Sequence, residues 1–171
     1  PESQRVPDEL ASVPSLILGG KSSQALNLLT DYITKHPTDP RAYSLRGGLY
    51  TQVQKRTEAL ADLTKVVELS PGDADALHSR GLFYLMQGPQ ESARADFEQA
   101  LKHNPAHIEA ANHLGLMQLS SGEFLPAIDS FKIAIVGAPQ NAHYPNHRGL
   151  ASCRAGNHEL ARADFDAAVR L

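Results

Sequence analysis

Apolar positions along this chain recur with a helical rhythm, not an alternating one. In DADALHSRGLFYLMQG, Leu77, Gly81, Tyr84 and Leu85 fall on one helical face, and Gly88 and Pro89 then break the segment. The next stretch, ESARADFEQALKHN, places Ala93, Phe97, Ala100 and Leu101 on the stripe of a second amphipathic helix. Pro105 cannot continue that helix, so the two segments close into one helix–turn–helix unit.

The same unit repeats along the chain. Pro37, Pro71, Pro105 and Pro139 stand 34 residues apart, as do Gly47, Gly81, Gly115 and Gly149. Ala25, Ala59, Ala93, Ala127 and Ala161 keep that register, followed by Leu29, Leu63, Phe97, Phe131 and Phe165. Val66, Ala100, Ala134 and Ala168 follow in their turn. Asp39, Asp73 and Asn141 are placed to cap first helices, and Thr57 and Asn157 to cap second ones. Pro40 fits a first-turn position. A mid-helix glycine costs up to ~1 kcal/mol against alanine. Its recurrence therefore predicts a close helix–helix approach at each glycine.

At these columns the chain resembles the tetratricopeptide repeat family, whose pattern joins Leu-Gly, tyrosine, alanine, phenylalanine and proline. RGLFYLMQGPQESARADFEQALKHNP carries all but the leucine, which is Arg80. HLGLMQLSSGEFLPAIDSFKIAIVGAP carries all but the tyrosine. The resemblance covers five units, about 6–39, 40–73, 74–107, 108–141 and 142–171, read as a single array over residues 1–171. It implies an all-α fold: a right-handed superhelical solenoid of antiparallel helix pairs. The first unit departs from the pattern. Pro7 and Pro14 interrupt its first helix and Val13 replaces the glycine, so a shortened helix is expected there, with a better one from about Ser23 to Lys35. The last unit reaches Leu171 inside its second helix, which suggests an uncapped apolar end and self-association through it.

This organisation disposes of the histidine pair in KHNPAH. Pro105 closes a unit, so His103 ends one helix while His107 starts the next. The two imidazoles share no helical face, and the motif is a joint. Arg46, Arg80 and Arg148 form one column, and Asp62, Asp96 and Asp164 another; the fourth unit has Leu114 and Ser130 instead. Joint presence and joint loss predict an Arg–Asp pair within each unit that has both, in preference to a row of anion-binding arginines.

Composition narrows the function. Over 171 residues, 42% hydrophobic and 20% charged residues describe a globular chain. Sixteen Lys and Arg against 19 Asp and Glu leave a net charge of −3, which argues against nucleic-acid binding. Apolar runs such as LILGG and AIVGA are too short for membrane insertion. Cys153 is the lone cysteine, so no internal disulfide and no multi-cysteine zinc site is possible. The chain opens on no leader-like segment. A cytoplasmic location is expected, although a processed exported protein fits the same sequence.

The resemblance places ligands on the concave face lined by first helices, so the candidate peptide-binding residues are read there: Arg41, His78, Leu82, Asn112, His113, Leu116, Asn146, His147, Leu150 and Arg154. Leu82, Leu116 and Leu150 make an apolar ridge beside Leu85, Met86 and Leu119, which either seals neighbouring units or anchors a ligand. Asn112 and Asn146 repeat in adjacent units and offer a donor and an acceptor each to a peptide backbone. His113, His143 and His147 with Glu109 have zinc-ligand chemistry, but a polar surface that titrates near pH 6 to 7 is the plainer reading. The lysines with which co-chaperone members hold a C-terminal carboxylate are absent: Ser44, Gly48, His78, Leu82, Asn112 and Leu116 stand in those places. The expected function is a protein–protein interaction scaffold that takes a peptide or helical segment, with no cofactor and no catalysis. A homo-oligomer joined through the exposed ends is the alternative, and a metal protein built on the His113–His147 cluster is a third.

Overall fold

The computed structural model describes residues 9–171; Pro7 and the rest of residues 6–8 of the first repeat lie outside the described residues. Among the described residues the regular elements are ten α-helices. No described helix is long and apolar enough to cross a membrane. The chain forms two compact units, Pro1–Pro71 and Gly72–Leu171. The fold class is the all-α solenoid of antiparallel helix pairs.

The first unit holds α1 (Val13–Leu18), α2 (Ser22–Lys35), α3 (Pro40–Gln52) and α4 (Arg56–Leu69). Its first helix is six residues long, as the prolines predict: Pro14 is tolerated only in the first turn, and Gly20 leaves the helix with φ 69°. Val13, in the place of the repeat glycine, is fully buried with Leu10, Ala25, Leu29, Tyr32, Ile33, Ala42 and Leu49. Asp39 caps α3 by accepting from the Arg41 backbone N–H. Thr57 does not cap α4. That helix already begins at Arg56 behind Lys55, whose own N–H donates to the Tyr50 carbonyl at 2.8 Å, so the turn is closed by backbone.

The second unit holds α5 (Ala74–Gln87), α6 (Gln90–His103), α7 (Ile108–Ser120), α8 (Phe124–Gly137), α9 (His143–Arg154) and α10 (His158–Arg170). Asp73 caps α5 through the N–H groups of Asp75 and Ala76. Asn157 caps α10 through Leu160, and Asn141 accepts from the His143 N–H at 3.1 Å. The same column at the head of α7 is His107, whose Nδ1 accepts from the Ala110 N–H at 3.2 Å. The KHNPAH joint is therefore a helix cap in which histidine replaces the usual Asp or Asn.

Close approach explains the glycine column. A Cβ on Gly81 would lie 2.7 Å from Phe97 Cε1, and one on Gly115 would lie 2.7 Å from Phe131 Cε1. Gly47 faces Leu63 in place of a phenylalanine, and a Cβ there would meet Leu63 Cγ at 3.3 Å. Phe97 and Phe131 are fully buried, so neither ring has free room to move aside. Gly48, one position on, has nothing within 4 Å of its would-be Cβ. Gly81→Leu is expected to lose ~1–3 kcal/mol by overpacking, whereas Gly48→Ala should gain about 0.5–1 kcal/mol of helix propensity. Urea unfolding of the two variants checks the opposite signs.

The arginine columns pair as predicted. Arg80 Nε and Nη2 donate to the two Asp96 oxygens at 2.8 and 2.7 Å. Arg46 grips Asp62 at 2.7 and 2.8 Å, and Arg148 grips Asp164 at 2.9 and 2.6 Å. The fourth repeat has a neutral substitute that the sequence reading missed: Ser130 Oγ donates to Gln118 Oε1 at 2.7 Å, both residues buried, beside buried Leu114. A further fork, from Arg94 on α6 to Glu123 before α8, has lengths of 2.5 and 2.6 Å.

Candidate functional site

The first helices of the second unit, α5, α7 and α9, come together through a polar ladder. His78 Nε2 on α5 lies 3.2 Å from His113 Nδ1 on α7. His147 Nδ1 on α9 lies 3.2 Å from Asn112 Oδ1 on α7 and donates to it. Both rungs join a residue to the one 35 positions on, one repeat plus one residue. Each rung thus connects two adjacent inner columns of the repeat.

Aromatic rings form the floor. Phe97 packs under both imidazoles of the first rung, with centroids 5.7 Å from His78 and 5.4 Å from His113. Phe131 lies 5.5 Å from His147 in the same way. His107 adds a third imidazole 5.1 Å from His78. Because its Nδ1 accepts the capping N–H, its Nε2 carries the proton and donates to Asp75 Oδ1 at 3.1 Å.

Burial sets the protonation of the ladder. The His78 pKa is pushed down to about 4, first by burial and then by the neighbouring His113 and His107; the carboxylates of Glu109 and Asp75 oppose the shift. Burial also lowers the pKa of His113. It lowers that of His147 too, where His143 adds to the effect. A histidine with a depressed folded pKa binds fewer protons folded than unfolded. Its contribution to stability is complete above the unfolded value near 6.5 and is lost as pH falls toward the folded value. For His78 that window runs from about 6.5 to about 4. Allowing for its partial exposure, acidification is expected to cost about 1–2 kcal/mol through this residue. Unfolding by urea at a series of pH values, in a chelating buffer, checks this, and His78→Gln should flatten the slope.

The candidate residues are not all equivalent. His78, Leu82, Asn112, His113, Leu116 and His147 are half-buried, while Asn146, Leu150 and Arg154 are exposed. Leu116 and Leu119 pack against the core of Ala127, Phe131 and Ala151, so this part of the ridge seals helices together. Leu150 is 44% exposed and Met86 66%, which leaves these two open to a ligand. Asn112 is already committed through its Oδ1, with its amide NH2 remaining as donor. Arg41 lies in the first unit, where its guanidinium binds the Asp39 carboxylate at 2.7 Å. Among the described residues no three His, Cys, Asp or Glu side chains form a group that could hold a metal. Glu109, His113, His143 and His147, the four weighed for zinc, do not converge: His113 turns to His78 and His147 to Asn112. The ladder itself escaped sequence reading because its partners sit in different columns.

Helix pairs with a shared column of caps, glycines and inner polar positions define a helical-repeat protein. Models of the tetratricopeptide repeat match residues 40–73 and 91–142. The chain belongs to the tetratricopeptide repeat family, whose members are interaction scaffolds. No curated protein sequence matches it. Among solved structures, a crystal structure of MamA is 22% identical, with a TM-score of 0.81, over 95% of this chain and 88% of that one. MamA from Desulfovibrio magneticus RS-1 is 21% identical at a TM-score of 0.79, over 95% and 92%. YrrB, described as a TPR protein with an unusual peptide-binding site, is 18% identical at 0.75, over 95% and 84%. These likenesses concern the fold.

Proposed function

We propose that the α5–α7–α9 face of the second unit binds an extended or helical segment of a partner protein. Leu150 anchors it, with Leu82 and Leu116 lining the surface beneath. The amide of Asn112 and the side chains of Asn146, His78, His113, His147 and Arg154 orient its backbone and polar groups. The observation that carries this reading is the exposure of Leu150 and Met86 on the same face as the polar ladder. The paired arginines are spoken for by their aspartates. A peptide-binding TPR protein of like fold, YrrB, supports the class of ligand. Arg41, held by Asp39, is the least suited of the candidates.

Selection of binding peptides from a random library, followed by NMR mapping of the best one, tests the proposal. Resonances of α5, α7 and α9 should shift, and Leu150→Asp should weaken binding on the order of tenfold or more. Mapping onto α6, α8 or α10 instead, with Leu150→Asp binding as wild type, would overturn it.

A further inference from the structure

The outward surface of α8 differs from that of the other second helices. Leu125, Asp129, Lys132 and Val136 fall on one stripe, opposite the fully buried Ala127, Phe131 and Ala134. Leu125 is 69% exposed and Val136 75%, with Asp129 and Lys132 exposed between them. At the two ends of the stripe the flanking second helices are charged, with Glu91 and Lys102 in α6 and Glu159 and Arg170 in α10. Beside Val136 lies a groove of about 460 Å³ with Pro105, Ala106 and Ile133 in its wall. Exposed leucine and valine where sister repeats carry charge mark a contact surface.

The order of residues along the stripe decides what covers it. Steps of 4, 3 and 4 residues are those of the seam between two paired helices. Consider a two-fold axis crossing α8 between Ser130 and Phe131. An antiparallel second copy then sets Leu125 against Val136 of that copy, and Asp129 against its Lys132, each pairing occurring twice. A parallel pair in register would instead set aspartate on aspartate and lysine on lysine, which charge repulsion disfavours. The stripe is thus complementary to itself in one orientation. We propose that α8 is the interface of a homodimer, packed antiparallel on α8 of a second copy. Each Leu125 enters the groove beside Val136 of its partner, and two Asp129–Lys132 ion pairs close the centre. The stripe faces away from α7 and α9, so the α5–α7–α9 face stays free and the dimer does not depend on what that face binds. One helix pair of about four turns contributes less than the roughly 1,000 Å² that a stable interface buries. The dimer is therefore weak, with a Kd on the order of 100 µM.

Sedimentation equilibrium of the 171-residue chain, from about 5 µM to about 1 mM, tests the proposal. A monomer–dimer equilibrium is expected, and Val136→Glu should weaken it about tenfold or more. Asp129→Lys and Lys132→Asp, each alone, should weaken it in the same way, because like charges then meet at the centre. The double variant Asp129→Lys/Lys132→Asp should dimerise again. An equimolar mixture of the two single variants should dimerise as well, since each then supplies the charge the other lacks. These residues are exposed, and recovery in the mixture shows that both single variants are folded. A chain that stays monomeric up to about 1 mM would overturn the proposal. So would association indifferent to these substitutions, which would place the contact at the ends of the array, and so would a mixture that does not recover.

Discussion

Asp96→Ala is expected to destabilise the second unit by about 3 kcal/mol, the low end of the range for breaking a buried ion pair. The loss does not measure the attraction between Asp96 and Arg80. It measures what is left behind: a guanidinium whose side chain is only 19% exposed and that has lost both hydrogen bonds to Asp96. The Arg80 guanidinium also lies 5.9 Å from the Tyr84 ring centroid, so its position is held from two sides and it cannot simply swing into water. The fourth repeat shows another solution at the same three columns, with Leu114, Gln118 and Ser130 where the third repeat has Arg80, Tyr84 and Asp96. There a neutral Gln–Ser hydrogen bond of 2.7 Å does the work of the ion pair. The triple variant Arg80→Leu/Tyr84→Gln/Asp96→Ser should therefore lose less than about 1.5 kcal/mol, because a well-packed neutral replacement carries no desolvated charge. Urea unfolding of the single and triple variants separates the two costs. A triple variant as unstable as Asp96→Ala would show that the pair fixes the repeat in a way the Gln–Ser contact cannot.

How far the sequence could be read follows from the length scale of each signal. The 34-residue period, the six-residue α1 and the Arg–Asp pairs were legible because each shows as a column or as a breaker within one repeat. Thr57 was misread as a cap because cap chemistry alone cannot tell which residue starts the helix; the backbone bond from Lys55 to Tyr50 decides it. His107 was recognised as a helix start but not as a cap. Histidine is an unusual cap, yet its column neighbours Asp39, Asp73 and Asn141 carried the signal. The Gln118–Ser130 bond was hidden for a similar reason: the loss of Arg and Asp was visible, but the arrival of Gln in the tyrosine column was not connected to it. The candidate face was legible as a set of columns. Its internal bonding was not, because a first-helix residue meets the neighbouring column of the next repeat, and that offset of one comes from how successive helices stagger. The consequence is physical. Asn112 is held in place by His147, which takes one lone pair of its Oδ1, whereas Asn146 is exposed. Substitution of Asn112 therefore disturbs helix packing as well as binding, and Asn146→Ala is the cleaner probe.

Phe97→Ala should cost about 3–5 kcal/mol, the range for emptying a fully buried aromatic site. Phe97 is 0% exposed, and its ring fills the space beside Gly81. Phe131 has the same burial and the same relation to Gly115, so Phe131→Ala should be about as destabilising. The two variants part company at the imidazoles. Phe97 lies against His78 and His113, with its ring 19° from the plane of the latter, while Phe131 lies against His147. Truncating Phe97 removes the wall that holds the two rings nitrogen to nitrogen and lets water reach them. The His78 and His113 resonances should move in Phe97→Ala and remain near their wild-type positions in Phe131→Ala, where His147 moves instead. Phe97→Leu, which copies the Leu63 of the second repeat, should recover part of the stability by refilling the cavity. It should leave the imidazole pair less well ordered than phenylalanine does, because a branched aliphatic side chain offers no flat face. If Phe131→Ala displaces His78 and His113 as much as Phe97→Ala does, the pair is positioned by the packing of the whole unit and not by the ring beneath it. The ladder would then be a readout of repeat stability in general.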